Sequence, residues 1–186
     1  YQTPDGFETI KEFHEEILVK GEKPEKLLIR ETRHGVVLDD VITKVETDKE
    51  DELFVLSWTG LHPKDKTSES LYMMNFAKGI DDFKKALNLF HSPQQNVHYA
   101  DVEGNIGVAA PVRLPQRKKK NDMYAVPGWT GEYDWEEEYV PFVGIPQLFN
   151  PENGIIFNAN NKIVDDNFPY YITTEYDNPP LRAQRL

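Results

Sequence analysis

The sequence predicts an α+β fold in which antiparallel sheet predominates and is accompanied by a pair of helices. Three observations predict this class. Two runs rich in β-branched and aromatic residues flank a turn near the start, apolar residues recur at helical spacing in the middle, and a second hairpin pattern follows. The strands are grouped apart from the helices and do not alternate with them, which disfavours a parallel sheet of β–α–β units.

The first part of the predicted sheet is a long hairpin. Its strands are expected over Phe7 to Val19 and Lys26 to Leu38, because both stretches mix β-branched and aromatic residues with charged ones. Between them, Gly21-Glu22-Lys23-Pro24 is a turn signal. The compact apolar run from Leu53 to Trp58 predicts a third, buried strand.

The middle of the chain predicts two helices separated by Gly79. Thr67 or Ser68 can cap the first, which is expected over Glu69 to Ala77. The second has acidic residues in its first turn, where the backbone dipole favours them. Its apolar residues, at the spacing of one helical face, are Ile80, Phe83, Leu87 and Phe90. We expect this face to form core and not a cofactor site.

A second hairpin and a turn-rich region follow the helices. Val97 to Tyr99 and Ile106 to Val108 flank Glu103-Gly104-Asn105, where glycine can adopt a positive φ. Prolines at positions 115, 127, 141, 146 and 151 then predict short elements and long loops. Directly after them, Ile155 to Asn160 has the pattern of a buried strand that ends in amide side chains.

Charge and composition exclude several partners. The 186 residues carry a net charge of -11, whereas proteins that bind nucleic acid present a basic surface. The basic run Arg117 to Lys120 lies beside Asn121-Asp122 and is interpreted as a solvated loop. No apolar run reaches the length of a membrane-spanning helix, so no membrane segment is predicted. The absence of cysteine excludes disulfides and thiolate chemistry within the chain.

Familiar catalytic and metal-binding motifs do not occur. The five histidines lack metal-binding spacing, the four serines lie outside any G-x-S-x-G motif, and there is no phosphate-binding glycine loop. The acidic clusters do not fit the calcium loop of an EF-hand and are interpreted as solvated loop charge. We therefore predict no metal site in this chain.

The amide pair Asn160-Asn161 is the remaining candidate for chemistry. A buried carboxamide without partners costs roughly 1–3 kcal/mol, so a pair of them at the end of an apolar stretch requires an explanation. Asparagine N–H groups are neutral, rigidly mounted donors that suit an oxyanion. The alternative is that both side chains only satisfy backbone groups in a turn. The residues alone leave both interpretations open.

Several stretches keep the order and spacing of motifs from one enzyme family. Tyr99 to Pro115 ("YADVEGNIGVAAPVRLP") resembles the Tyr-Ala-Asp-x-x-Gly-Asn-Ile-Gly hairpin of the penicillin acylases. Val126 to Trp135 is similar to that family's Val-Pro-Gly-x-x-Gly-x-x-x-Trp stretch, and Tyr139 to Lys162 to its Pro-Phe…Asn-Pro-x-x-Gly…Asn-Asn segment. Further matches lie at Arg30 to Leu38, at Leu56 to Leu61 and in the closing "PPLRAQRL". The resemblance thus covers essentially the whole chain.

This resemblance implies a fold, a chemistry and a set of site residues. Penicillin acylases are N-terminal-nucleophile (Ntn) hydrolases, whose αββα architecture stacks two antiparallel sheets between helical layers. Their serine hydroxyl attacks an amide carbonyl, with its own α-amino group as the base. The resemblance implies that the catalytic residues in this chain are Asn160, which donates to the oxyanion, and Arg182, which orients it. It implies that the substrate contacts are Trp58, Gln95 and Asn161.

The resemblance also implies that residues 1–186 are a single piece from within the β chain of such an enzyme. The opening "YQTPDG" matches a hairpin that follows the nucleophilic serine, so the serine, the calcium-site aspartates and the α chain are expected elsewhere. We expect this piece alone to be inactive, to need no cofactor, and to self-associate through strand edges. Its natural partners would be the remaining α- and β-chain segments.

For the longer protein, the resemblance implies hydrolysis of acylated small molecules of the penicillin, cephalosporin or N-acyl homoserine lactone type. Calcium binding by the longer protein is consistent with the family. A location outside the bacterial cell or in its envelope is expected from the resemblance and the absence of cysteine. The alternative, from another class, is a non-catalytic β-rich binding module that retains the scaffold.

Overall fold

The computed structural model describes residues 1–39, 51–119, 124–172 and 181–185. Within these ranges all strand pairs are antiparallel, and two α-helices accompany them, so the predicted fold class is confirmed. The strands are β1 (Gln2–Thr3), β2 (Gly6–Phe7), β3 (Lys11–Ile17), β4 (Glu25–Thr32), β5 (Gly35–Val37), β6 (Val55–Leu56), β7 (Val97–Ala100), β8 (Ile106–Ala109), β9 (Pro115–Arg117), β10 (Trp135–Tyr139) and β11 (Gln147–Phe149). The helices are α1 (Thr67–Met74) and α2 (Ile80–Leu87), and single 3₁₀ turns span Thr59–Leu61, Gly128–Thr130, Phe142–Gly144 and Ala183–Arg185.

The predicted first hairpin lies in a four-stranded sheet of order β3-β4-β5-β6. Its second predicted strand, Lys26 to Leu38, is wrong in extent, since this stretch forms two paired strands, β4 and β5, joined by a turn at Arg33-His34. β3 pairs with β4 along its whole length, and every residue of β3 is exposed. The predicted buried strand over Leu53 to Trp58 is wrong in extent and in burial. Only Val55–Leu56 pairs, and the side chain of Trp58 is 49% exposed, because β6 is at the edge of this sheet and has β5 as its one neighbour there.

Helix α2 forms one of two cores with the sheet β11-β8-β7. Phe83 and Leu87, from the predicted apolar face, are buried against Ala109 of β8. The rings of Phe83 and Tyr99 lie 4.7 Å apart between centroids. The predicted second hairpin is confirmed as β7 and β8, and Gly104 in its turn has a φ of 88°.

Helix α1 begins at Thr67 and ends at Met74, three residues before the predicted end. The hydroxyl of Thr67 does not cap this helix as predicted, since it donates to the carboxylate of Asp65 and accepts the backbone N–H groups of His91 and Ser92. This side chain therefore joins the start of α1 to the segment after α2. No helix in the described part of the chain is long and apolar enough to cross a membrane.

The second core supports the C-terminal part of the described chain. Its buried residues are Ala110, Leu114, Val140 and Ile145. Ile163, Tyr170 and Ile172 pack against them. The segment that follows the amide pair is therefore anchored on this core.

The segment Ile155 to Asn160 is not the buried strand that the sequence predicts. It belongs to no strand, and the side chains of Ile155 and Phe157 are 64% and 53% exposed. The physical reason is the lack of a partner: among the described residues, no strand pairs with this backbone. An apolar pattern reports that side chains can be buried, and it does not report whether a neighbouring strand is present.

The basic run is only partly the solvated loop that the sequence predicts. Arg117 lies in β9, half-buried, and its guanidinium is 5.9 Å from the ring centroid of Trp135 and 5.5 Å from that of Tyr171. Burial lowers the pKa of Arg117, which remains a cation at any ordinary pH. Lys119 extends outwards and forms an ion pair with Glu132 at 3.1 Å. Lys120 lies outside the described residues.

Candidate active site

The candidate site is a bend of the backbone at Ala159 and Asn160. Ala159 is buried, whereas Asn160 is exposed, so the bend carries the Asn160 side chain outwards from the protein. Asn160 has a φ of 58°, in the left-handed region that few residues other than glycine adopt. Asparagine tolerates this conformation better than most because its short side chain can hydrogen-bond locally.

Local side-chain contacts hold the bend. The backbone N–H of Asn160 donates to Oδ1 of Asn158 at 2.7 Å, and the N–H of Ala159 donates to Oδ1 of Asn161 at 3.2 Å. The Nδ2 group of Asn161 donates to the carbonyl of Lys162 at 2.9 Å. Both ends of the Asn161 carboxamide therefore have backbone partners, as the turn interpretation of the amide pair predicts for this residue.

Asn160 differs from Asn161 because its carboxamide contacts Arg182. One terminal nitrogen of that guanidinium, Nη2, donates to Oδ1 of Asn160 and to the carbonyl of Ala159, each at 2.8 Å. Arginine has donors and no acceptor, so the contact requires the oxygen of the Asn160 amide to face Arg182. The Nδ2 group then forms the opposite end of the carboxamide, and it has no hydrogen-bond partner within the described ranges. The result is a neutral donor held at its oxygen end.

No hydrogen bond in the described residues joins Trp58 or Gln95 to this bend. The Trp58 ring covers Gly60, where an added Cβ would lie 2.5 Å from the ring and 3.0 Å from Oγ of Ser92. Gln95 follows Ser92 by three residues and is exposed. Trp58 is therefore next to the segment that leads to Gln95. An open depression of about 510 Å³ beside Tyr99 is lined by neither of them.

Asn158 is a site residue that the sequence analysis did not identify. Its side-chain oxygen accepts the N–H group two residues further on, which is the usual Asx turn. The signal was present in the sequence as an asparagine two positions before Asn160. The strand predicted over Ile155 to Asn160 is incompatible with this signal, because such a turn does not form within a strand.

A second polar cluster, also missed, joins the turn between β4 and β5 to the loop before β10. Arg33 donates to both oxygens of Asp134, at 2.8 and 3.1 Å, and Nε2 of His34 lies 2.9 Å from Oδ1 of the same carboxylate. Burial alone would raise the pKa of Asp134, but the hydrogen bonds and positive charges of Arg33 and His34 outweigh it and lower that pKa. Both oxygens of the carboxylate already contact Arg33 or His34, so we interpret this cluster as structural and not as a binding site.

Within the described ranges, His62 and His91 do not form a metal site. Burial, followed by the charge of Arg113, lowers the pKa of both His62 and His91. His91 accepts the N–H of Lys66 on Nδ1 and lies 3.3 Å from Arg113 on Nε2, so neither ring nitrogen is available. Among the described residues no group of three or more His, Cys, Asp or Glu side chains converges to hold a metal.

Comparison with known proteins places this geometry in a family context. The sequence matches the penicillin amidase family over residues 1–186. It is 30% identical over 181 residues to the penicillin acylase 2 proenzyme of Pseudomonas sp. strain SE83, an alignment that covers 97% of this chain and 22% of that protein. It is 28% identical over 193 residues to the acyl-homoserine lactone acylase QuiP of Pseudomonas aeruginosa, covering 100% of this chain and 22% of QuiP.

The fold supports the same relationship. The structure resembles that of the thermostable penicillin G acylase from Alcaligenes faecalis with a TM-score of 0.74 and 25% identity, over 93% of this chain and 30% of that one. The chain spans about a fifth of the length of the Pseudomonas penicillin acylase and of QuiP. Since the family match extends over every residue of the chain, the chain belongs to the penicillin amidase family.

Proposed function

We propose that this chain is part of a longer amidohydrolase that cleaves the amide bond of acylated small molecules, and that Asn160 donates a hydrogen bond to the oxyanion. The observation that carries the proposal is the contact between Arg182 and Oδ1 of Asn160, which leaves Nδ2 as a fixed donor. Support for the reaction class comes from the relatives, which are named as penicillin and acyl-homoserine lactone acylases.

The chemical role of Asn160 follows from where charge develops. When a nucleophile attacks the carbonyl carbon of an amide, the π electrons move onto the carbonyl oxygen, which becomes an anion. A donor held in advance stabilises that anion without reorganising, and it does so more strongly in the transition state than in the substrate. The amine nitrogen then takes up the proton that the nucleophile's hydroxyl gave up, and the C–N bond breaks as the carbonyl re-forms. Water hydrolyses the resulting acyl-enzyme ester, which releases the acid and restores the hydroxyl.

Arg182 acts in this scheme by orienting Asn160. Its Nη2 group binds two oxygens, the carbonyl of Ala159 and Oδ1 of Asn160, and so fixes the backbone and the side chain of the bend together. A lysine has a single ammonium on a flexible stem and lacks this planar geometry. Because Arg182 binds the amide oxygen and not the amide nitrogen, its charge acts on the oxyanion through Asn160.

The nucleophile is proposed to come from outside these residues. All four serines are described, and none donates to a histidine ring nitrogen or a carboxylate; the hydroxyl of Ser57, for example, donates to the backbone carbonyl of His34. The family resemblance suggests an N-terminal serine of the longer protein. We therefore propose that residues 1–186 alone do not hydrolyse acyl amides.

The substrate contacts are proposed at the acyl side. Trp58 offers a half-exposed aromatic surface close to Ser92, and Gln95, three residues after Ser92, offers an exposed amide. Asn161 is proposed to assist by holding the backbone of Ala159, whose N–H group donates to Oδ1 of Asn161. Penicillin, cephalosporin and N-acyl homoserine lactone types are the proposed substrate classes. We further propose that the longer protein acts outside the cell or in the envelope, and that any calcium binds outside this chain.

The test is substitution of Asn160 in the full-length protein. Asn160→Ala should lower kcat for a chromogenic acyl amide by about 10²–10³-fold with little change in KM, the usual result of removing one oxyanion donor. The matched control is Asn153→Ala. Asn153 is an exposed asparagine in the same segment whose side-chain oxygen accepts the backbone N–H of Ile155, so its loss also removes a local hydrogen bond. A kcat of Asn160→Ala equal to that of the control would overturn the proposal, and substrate binding by the wild-type protein without turnover would favour the binding-module alternative.

A further inference from the structure

Asn158 makes the shortest Asx-type contact in the described part of the chain. Its Oδ1 accepts the N–H of Asn160 at 2.7 Å. Comparable contacts, from an Asn or Asp oxygen to the N–H two residues on, measure 3.2 Å at Asn153, 3.1 Å at Asp65, 3.0 Å at Asp101 and 2.9 Å at Asp165. The tightest of these turns is thus the one that leads into the proposed oxyanion donor.

The turn matters because Asn160 has an uncommon backbone conformation. Its φ of 58° is sparsely populated for a residue with a side chain, and it persists only where neighbouring contacts hold it. No strand in the described ranges pairs with this segment, and Phe157, immediately before Asn158, is exposed. The restraint must therefore come from side chains.

Two side chains supply that restraint from opposite ends. Asn158 holds the N–H of Asn160, while Arg182 holds the preceding carbonyl and the amide oxygen of the same residue. With the backbone nitrogen and Oδ1 both fixed, the direction of the Nδ2 donor is determined. If the Asn158 contact is lost, the backbone of Asn160 is free to leave the left-handed region and the donor changes direction.

We infer that Asn158 is a positioning residue, whose side-chain oxygen fixes the left-handed conformation of Asn160 and so aims its amide at the oxyanion. This inference rests on the proposed function of Asn160. It assigns to the Asn158 oxygen a role that acts through the backbone of Asn160. It also distinguishes the three asparagines of the bend: Asn160 donates, while Asn158 and Asn161 accept backbone N–H groups and shape the turn.

The experiment is a set of variants of the full-length protein assayed with one acyl amide. Asn158→Ala should lower kcat about three- to tenfold at nearly constant KM, the size expected when one hydrogen bond stops favouring the active conformation. Asn158→Ser should recover part of that loss, because a serine hydroxyl accepts the same N–H without adding charge. Asn153→Ala, which removes a similar turn contact upstream, should retain full activity.

A double variant separates positioning from a general contribution to stability. If Asn158 acts only through the Asn160 amide, then adding Asn158→Ala to Asn160→Ala should lower kcat no further, whereas any change in Tm should be the same in both backgrounds. An equal loss of kcat in both backgrounds would overturn the inference. So would an Asn158→Ser variant as impaired as Asn158→Ala.

The same set distinguishes the two proposals. If Asn160→Ala leaves kcat unchanged, the proposed function fails and the inference fails with it. If Asn160→Ala lowers kcat and Asn158→Ala does not, the proposed function stands and the positioning role of Asn158 alone is overturned.

Discussion

The carboxylate of Asp134 offers the sharpest test of what holds the first hairpin to the rest of the chain. It receives two hydrogen bonds from Arg33 and contacts His34, residues about one hundred positions earlier in the sequence. Arg33 also donates to the carbonyl of Gly128 at 3.2 Å. Replacing Asp134 with alanine removes the centre of this cluster and leaves the Arg33 guanidinium with one protein acceptor there.

The expected loss follows from the exposure of the pair. Ion pairs between fully exposed side chains contribute about 0–1 kcal/mol, whereas removing one partner of a fully buried pair costs about 3–5 kcal/mol. The Asp134 side chain is 17% exposed and that of Arg33 is 30% exposed, so the cluster falls between these limits. We expect Asp134→Ala to lower the free energy of unfolding by about 2–3 kcal/mol at pH 7.

The lowered pKa of Asp134 determines how the stabilisation changes with pH. The pKa of Asp134 is lower in the folded protein than its ordinary value, so the folded state holds the proton less tightly than the unfolded chain. The stabilisation is therefore complete above the unfolded pKa of about 3.9 and is lost as the pH falls through the lower, folded pKa. The difference in unfolding free energy between wild type and Asp134→Ala should shrink over that range.

Urea unfolding at pH 7, 4 and 3 measures this difference directly. Asp82→Ala is the matched control, because Asp82 also accepts from a basic side chain, Lys85 at 3.1 Å, but on the exposed surface of α2. Its free energy of unfolding should fall by less than that of Asp134→Ala, because it loses only an exposed ion pair and an acidic residue in the first turn of the helix. A loss for Asp134→Ala no larger than that of the control, or a loss of the same size at all three pH values, would refute the reasoning.

Three further substitutions test the packing, each by thermal unfolding. Ser70 is fully buried in α1, and its hydroxyl has no hydrogen-bond partner among the described residues. Ser70→Ala should therefore raise the free energy of unfolding by about 1 kcal/mol, and a lower Tm would contradict this. Gly107→Ala would place a Cβ 2.2 Å from the ring of Phe149 and should cost about 1–3 kcal/mol, whereas an unchanged Tm would mean that the ring moves freely. Leu87→Ala should lower the free energy of unfolding by about 2–5 kcal/mol, because Leu87 has no exposed surface. A loss below about 1 kcal/mol would show that α2 is not central to the core that it forms with β8.

Helix α2 and the hairpin β7–β8 could be predicted from the sequence because their signals are local. The spacing of Phe83 and Leu87 matches a helical period, and the helix dipole explains the acidic residues in the first turn. Gly104 supplies a positive φ in the turn of the hairpin. In these elements, residues close in the sequence determine the conformation, and tertiary contacts agree with it.

The two wrong predictions of a buried strand depend instead on distant partners. Leu53 to Trp58 and Ile155 to Asn160 both have an apolar pattern that suits a buried strand. A strand needs a neighbour to accept and donate its backbone hydrogen bonds, and the pattern contains no information about that neighbour. The contacts of Asp134 were missed for a related reason, since nothing in the local sequence pairs it with Arg33.

The amide pair Asn160-Asn161 shows what the sequence and the structure each determine about the candidate site. The resemblance to penicillin acylases selects Asn160 and Arg182, and the structure brings these two side chains into contact across 22 positions of sequence. The residues alone could not distinguish Asn160 from Asn161, because the two amides are chemically identical. Their hydrogen bonds distinguish them: Asn161 has backbone partners at both ends, while Asn160 is held only at its oxygen end.

The source of stiffness at Asn160 also differs from the one the sequence implies. A strand end would hold the residue through a ladder of backbone hydrogen bonds, which side-chain substitutions leave intact. Here the backbone is bent and left-handed, and the restraint comes from Asn158 and Arg182. Each of these contacts involves a side chain that one substitution can remove, at an exposed bend outside both cores. The direction of the donor should therefore be more sensitive to substitution than the fold is, so that activity can be lost while the protein remains folded.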